Sequence, residues 1–262
     1  MVLEAGLLVL PLLVAVTASS LPNPFTPCRK WAALASILTR IPDQVNESTR
    51  LYVQMSHNHT EKYPDLAVAV LAGGASSRFG TDKATLRICP SGPTLIETVV
   101  RTALHLSNNV FVIGHARYEE LLPNVPVLPD ELPGEGPLAG IASALRQSPG
   151  SRVLVLACDM PCLSPRLLES MATIDTDGDA VVARTTDGRW QPMPAIYNRT
   201  ALPLIDRALR EGRRSIVSVI EHLSITELTE VDLRPLDPEL MSFFSLNRPT
   251  DLDLARRCAV CN

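Results

Sequence analysis

Six consecutive apolar residues, Leu66-Ala67-Val68-Ala69-Val70-Leu71, run directly into Ala72-Gly73-Gly74. A strand with one wet face alternates polar and apolar residues. A short unbroken apolar run closed by glycines instead reads as a strand buried on both faces. Such strands belong to parallel sheets covered by helices, so this one segment narrows the chain to an α/β architecture. Arg152-Val153-Leu154-Val155-Leu156-Ala157 repeats the pattern, and 109–113, 179–184, 194–197 and 226–231 read as further strands. Helical spacing falls between them: 94–106, 136–147 with Pro137 near its start, 165–171 behind Ser164 as N-cap, 200–210, 215–222 and 250–257. Alternation of this kind predicts βαβ units in a three-layer α/β/α sandwich with a mostly parallel sheet. Ligands of such sheets bind at the carboxyl ends of the strands, which directs attention to residues 72–83 and 158–161.

Residues 1–64 have a different texture. They carry six of the 22 prolines and show no sustained periodicity, so they read as an N-terminal extension, poorly ordered or a non-native start, ahead of a domain over 65–262. The apolar stretch Gly6 to Val16 is broken by Pro11 and is about half the length of a membrane span, so a membrane role is not expected. Aromatic residues are 4% of the chain and the net charge is −4 with no basic stripe, which argues against a nucleic-acid partner. The six cysteines, at 28, 89, 158, 162, 258 and 261, lie mostly in or beside apolar runs and read as free thiols of a reduced, cytoplasmic chain. Cys258-x-x-Cys261 lacks the second ligand pair that a zinc site needs.

Three constellations carry chemistry. Leu71-Ala72-Gly73-Gly74 opens a loop with Arg78, Gly80, Asp82 and Lys83. Paired glycines let the backbone approach a ligand and aim N–H groups at it, while Arg78 and Lys83 supply cations for a triphosphate. The loop is neither Walker A nor G-x-G-x-x-G. Asp159, at the end of the second apolar run, suits Mg²⁺, which takes a few hard oxygen ligands plus substrate phosphates. Asp130, ahead of Gly136-Pro137-Leu138-Ala139-Gly140, is placed to meet a sugar, a base or the metal.

In combination and order these motifs resemble the MobA-like nucleotidyltransferases, and among them the molybdenum cofactor guanylyltransferases. The family's L-A-G-G-x-S-x-R-M-G-x-D-K loop is matched at 71–83 with Phe79 for methionine. Its G-P-L-A-G-I is matched at 136–141, its C-D-M-P at 158–161, and its late N-x-N-x-P-x-D-L at 245–252 with Ser245 for the first asparagine. The resemblance implies a nucleotide-diphospho-sugar-transferase-like (Rossmann-like) fold. The implied reaction is GTP plus Mo-molybdopterin giving the guanine dinucleotide and pyrophosphate, in the cytoplasm, with Mg²⁺ as cofactor. Carried onto this chain, Leu71, Ala72, Gly73 and Gly74 line the nucleotide, Lys83 and Arg78 bind phosphates, Asp130 contacts the guanosine, and Asp159 contacts GTP and holds Mg²⁺. Gln191 and Asn247 are candidates for the pterin. Transient contact with molybdopterin-delivering or molybdoenzyme maturation proteins is also implied. The family's asparagine after the second strand falls near Gly114 and is not carried over. The alternatives are a cytidylyl or sugar- or alcohol-phosphate nucleotidyltransferase, or a non-catalytic nucleotide-binding homologue. Related cytidylyl enzymes tend to carry L-A-A-G; Gly73 leaves more room, which favours a purine.

Overall fold

The computed structural model describes residues 63–73 and 82–258. Strands β1 (Leu66–Ala72), β2 (Val110–Gly114), β3 (Val127–Leu128), β4 (Arg152–Ala157), β5 (Ala180–Arg184), β6 (Trp190–Asn198) and β7 (Ile225–Leu228) form one sheet in the order β3-β2-β1-β4-β6-β5-β7. All neighbours are parallel except β6, which runs antiparallel to both β4 and β5. The helices are α1 (Leu95–Leu106), α2 (Pro137–Gln147), α3 (Pro165–Thr173), α4 (Leu202–Arg210), α5 (Ile216–Ile220), α6 (Glu230–Leu233) and α7 (Leu252–Cys258).

The unbroken apolar run of β1 has the cause expected of it. Leu66, Val68 and Val70 face one core with α1 and α3, and Ala67, Ala69 and Leu71 face a second with α2, α4 and α5. A polar residue anywhere in β1 would be buried without water, so alternation is physically excluded. Helix α1 starts where Thr94 and Glu97 close a capping box, the Glu97 carboxylate accepting from Thr94 N–H at 2.7 Å. Helix α2 starts at Gly136, whose φ of 87° favours glycine. Further on, a side chain at Gly140 would stand 3.2 Å from Leu71 Cδ1, so this glycine lets α2 lie close against the end of β1.

Three expectations change. The strand expected at 194–197 begins at Trp190; Pro192 and Pro194 sit where the register with β5 shifts between Val181 and Ala183, a place where proline costs no ladder bond. The strand expected to reach Val231 stops at Leu228. There Thr229 N–H and hydroxyl donate to Asp232 at 2.9 and 2.7 Å, turning the chain into α6 and leaving Val231 82% exposed. The cysteines are not all free: Cys162 is disulfide-bonded to Cys258, Cys89 is also disulfide-bonded, and Cys158 is a thiol. Cys28 and Cys261 lie outside the described residues, as does the extension expected at 1–64 apart from its last two residues. Among the described residues no helix is long and apolar enough to cross a membrane.

The Cys162–Cys258 bond spans 96 residues and ties α7 to the loop after β4. Such a bond restricts the unfolded chain; replacing both cysteines by serine is expected to cost about 2–4 kcal/mol. In a domain of this size that lowers Tm by roughly 5–15 °C. Thermal unfolding with and without reductant checks it, and a non-reduced peptide map should contain the Cys162–Cys258 pair.

Candidate active site

Parallel pairing brings the carboxyl ends of β1, β2 and β4 side by side. Ala72 lies opposite Gly114, Leu71 lies opposite Ala157, and Cys158 N–H donates to Leu71 O at 3.0 Å. Above these ends opens a cavity of about 340 Å³. Gln191 to Met193 of β6 and the segment around Phe243, Ser245 and Asn247 form its far wall.

The structure places most of the expected site residues on this cavity. Leu71 and Ala72 are buried at its floor and Gly73 is exposed at its rim. Gly74 and Arg78 lie outside the described residues. Lys83 begins a short 3-10 turn, Lys83–Thr85, capped by Asp82, whose carboxylate accepts from Ala84 N–H at 3.1 Å. Its ammonium donates to Asn247 Oδ1 at 2.9 Å and to Asp159 Oδ2 at 3.4 Å. Residues 164 positions apart thus meet at one cation. Asp130 lines the cavity beside Gly73, its Oδ1 accepting from Ser143 hydroxyl at 2.8 Å and Leu132 N–H at 3.1 Å. Among the described residues the nearest atom to a methyl group on Gly73 would be Asp130 Oδ2, at 3.9 Å.

Asp159 is the electrostatic centre. Burial raises its carboxyl above the ordinary 3.8, and Lys83 opposes that rise through its charge and hydrogen bond. Burial, with the Asp159 charge adding to it, pushes the neighbouring Cys158 thiol up to about 12, so this sulfur stays protonated and is no nucleophile. Among the described residues no group of three or more His, Cys, Asp or Glu gathers in a metal-binding cluster. The single carboxylate of Asp159 beside the cavity suits an ion such as Mg²⁺ that shares its oxygen ligands with substrate phosphates.

Two contributors were not read from the sequence. Ser143 is fully buried and holds Asp130; its only signal was a lone hydroxyl in the apolar face of α2. Tyr118 lines the cavity and donates to Asp82 at 2.8 Å. Asn247, expected at the pterin, is engaged with Lys83.

A sequence profile of the MobA-like NTP transferase domain matches residues 68–226. This chain belongs to the MobA-like NTP transferase family. It is 34% identical over 197 residues to a "probable molybdenum cofactor guanylyltransferase" of Chloroflexus aggregans, covering 71% of this chain and 91% of that one. It is 30% identical over 187 residues to a molybdenum cofactor guanylyltransferase of Desulfosudis oleivorans, covering 71% and 92%. The crystal structure of molybdopterin-guanine dinucleotide biosynthesis protein A from Archaeoglobus fulgidus superposes with a TM-score of 0.63 at 30% identity, covering 73% of this chain and 97% of that one. The matched profile spans the ends of β1, β2 and β4 and so covers most of the cavity, whereas Phe243, Ser245 and Asn247 lie beyond it.

The raised Asp159 carboxyl carries a consequence for stability. The folded chain binds this proton more tightly than the unfolded one, so stability falls as pH rises through the raised value and stays lower at neutral pH. Asp159→Asn removes that burden. It is expected to melt no lower than the wild type at neutral pH without nucleotide, with the gap closing as the solution is acidified. Calorimetry across pH checks it; a large loss of Tm at neutral pH would contradict the sign.

Proposed function

We propose that this chain transfers GMP from GTP to Mo-molybdopterin, forming the guanine dinucleotide and pyrophosphate in the cytoplasm. The observation that carries the reading is the meeting of Lys83 and Asp159 at the carboxyl ends of β1 and β4, 3.4 Å apart, beside the loop that begins at Gly73. A cation and a half-buried carboxylate at this distance present one site for phosphate oxygens and one for a phosphate-bound cation. The relatives named above act on molybdenum cofactor by their names, and the motif order over 71–83, 136–141 and 158–161 is that of the guanylyl branch.

A terminal phosphate oxygen of molybdopterin attacks the α-phosphorus of GTP. The new phosphorus–oxygen bond forms as the bond to the β-phosphate bridging oxygen breaks, and pyrophosphate leaves with that electron pair. The attacking oxygen is already ionised near neutral pH, so no side chain need take a proton. What the chain supplies is position and charge. Lys83 neutralises the leaving phosphates, with Arg78 assigned to the same task from the motif. Leu71, Ala72, Gly73 and Gly74 bring the backbone against the nucleotide, and Asp130, held by Ser143, meets the guanosine. Asp159 would hold Mg²⁺, which when bound lowers the charge on the phosphates. Gln191, which lines the same cavity, is assigned to the pterin.

Pyrophosphate release from GTP and Mo-molybdopterin tests the reading directly. Lys83→Ala and Asp159→Ala should each lower kcat/KM by about 10²–10³, the range for removing one group that stabilises transition-state charge. Release with CTP but not GTP would sink the guanylyl assignment. Base choice has its own probe. Because a methyl group at Gly73 would meet no described atom closer than 3.9 Å, Gly73→Ala should fold normally and narrow the cavity. Isothermal titration with GTP, CTP and ATP in Mg²⁺ should then show GTP weakened about tenfold or more relative to CTP, the scale of one misplaced methyl group in a fitted pocket.

A further inference from the structure

Between the ends of β1 and β2 the backbone closes on a single aromatic ring. A side chain at Gly114 would stand 3.2 Å from Ala72 Cβ, from Ala72 O and from Tyr118 Cε2. The bare backbone at Gly114 is therefore what admits the Tyr118 ring against the end of β1. Tyr118 sits in the 3-10 turn that follows β2, its N–H donating to His115 O at 3.1 Å, and only 2% of its surface is exposed. A ring so enclosed has little freedom, and its hydroxyl is aimed at one place.

That place is Asp82. Tyr118 hydroxyl donates to Asp82 Oδ2 at 2.8 Å, and Arg117, its guanidinium 5.2 Å from the Tyr118 ring centroid, meets the same oxygen at 2.7 Å. Asp82 Oδ1 caps the turn that carries Lys83, accepting from Ala84 N–H, and Asp82 O accepts from Thr85 hydroxyl at 2.9 Å. The contacts form a chain of supports: the sheet holds the ring, the ring holds the carboxylate, and the carboxylate holds the turn from which Lys83 reaches Asp159 and Asn247. Burial pushes the Tyr118 hydroxyl up to about 12, so it remains a donor at every pH at which the enzyme works.

We propose that Tyr118 is a positioning residue of the transfer reaction, fixing Lys83 on the triphosphate through Asp82. The proposal rests on the phosphate role assigned to Lys83 above. Arg117 contributes less, because its side chain is 56% exposed and an ion pair so wet is weak. The hydroxyl to a buried-side carboxylate is the stronger link.

Isothermal titration of GTP in Mg²⁺ into the full chain tests it, with Tyr118→Phe, Lys83→Ala and the double variant side by side. Tyr118→Phe keeps the ring and loses only the hydroxyl. It is expected to bind GTP about tenfold more weakly, the scale of one charge-assisted hydrogen bond. KM for GTP should rise by the same factor while KM for Mo-molybdopterin stays unchanged, a split that general loosening of the fold would not give. The double variant should bind no more weakly than Lys83→Ala, because the two act through one group. Wild-type GTP affinity in Tyr118→Phe, with affinity lost in Lys83→Ala, overturns the proposal and leaves the phosphate role of Lys83 standing. Wild-type affinity in Lys83→Ala overturns that role and the proposal with it. Asp82→Ala breaks the same link outside the ring's packing and decides the matter if Tyr118→Phe folds poorly. Weakened GTP binding supports the proposal, and unchanged binding overturns it.

Discussion

The last rung between β1 and β4, Cys158 N–H to Leu71 O at 3.0 Å, sets the positions on which the site depends. It fixes Asp159 one residue beyond the ladder on one strand and Gly73 two residues beyond on the other. A parallel pair has this property by construction: both chains leave the sheet in the same direction and at the same level. A shift of the pairing by one residue would turn Leu71 from the α2 core to the α1 core and carry Asp159 away from Lys83. The apolar contacts of β1 with two separate cores prevent that shift, so the chemistry borrows its precision from hydrophobic packing.

The strands that build this frame were legible because burial on both faces leaves no choice of residue. β4 was read to its end residues, and β1 and the helices behind Thr94 and Ser164 to within one or two. Segments stabilised by a few local bonds were not. β3 has two residues and no pattern to detect, and α6 is announced only by Thr229 and Asp232. The candidate site divides along the same line. Gly73, Lys83, Asp130 and Asp159 stand in motifs with fixed spacing. Ser143 acts on Asp130 from 13 positions away and Tyr118 on Asp82 from 36, and nothing in a linear spacing encodes a hydroxyl aimed across the fold. The disulfide was missed for a similar reason: Cys162 and Cys258 are 96 residues apart, and each sits in surroundings where a thiol would also be at ease.

That bond and the proposed use of GTP make opposite demands on the surroundings, since nucleotide pools are cytosolic and cytosolic reductants cleave accessible disulfides. Cys162 is 9% exposed, which limits the approach of an attacking thiolate. The bond also has a mechanical place in the site. It ties α7 to the loop after Asp159, and the segment leading into α7 carries Leu246, whose N–H donates to Asp159 O at 2.8 Å, and Asn247, which meets Lys83. The C-terminal segment is therefore tied to the cavity side of the fold by three different bonds, two of them to Asp159 and Lys83, the residues assigned to the phosphates. Without nucleotide, Lys83 is shared between Asp159 and Asn247. A triphosphate draws the ammonium toward its own oxygens, and the neutral amide of Asn247 gives it up at less cost than a carboxylate would. A neutral amide on one side and a carboxylate on the other hold Lys83 in place while leaving it available to the phosphates.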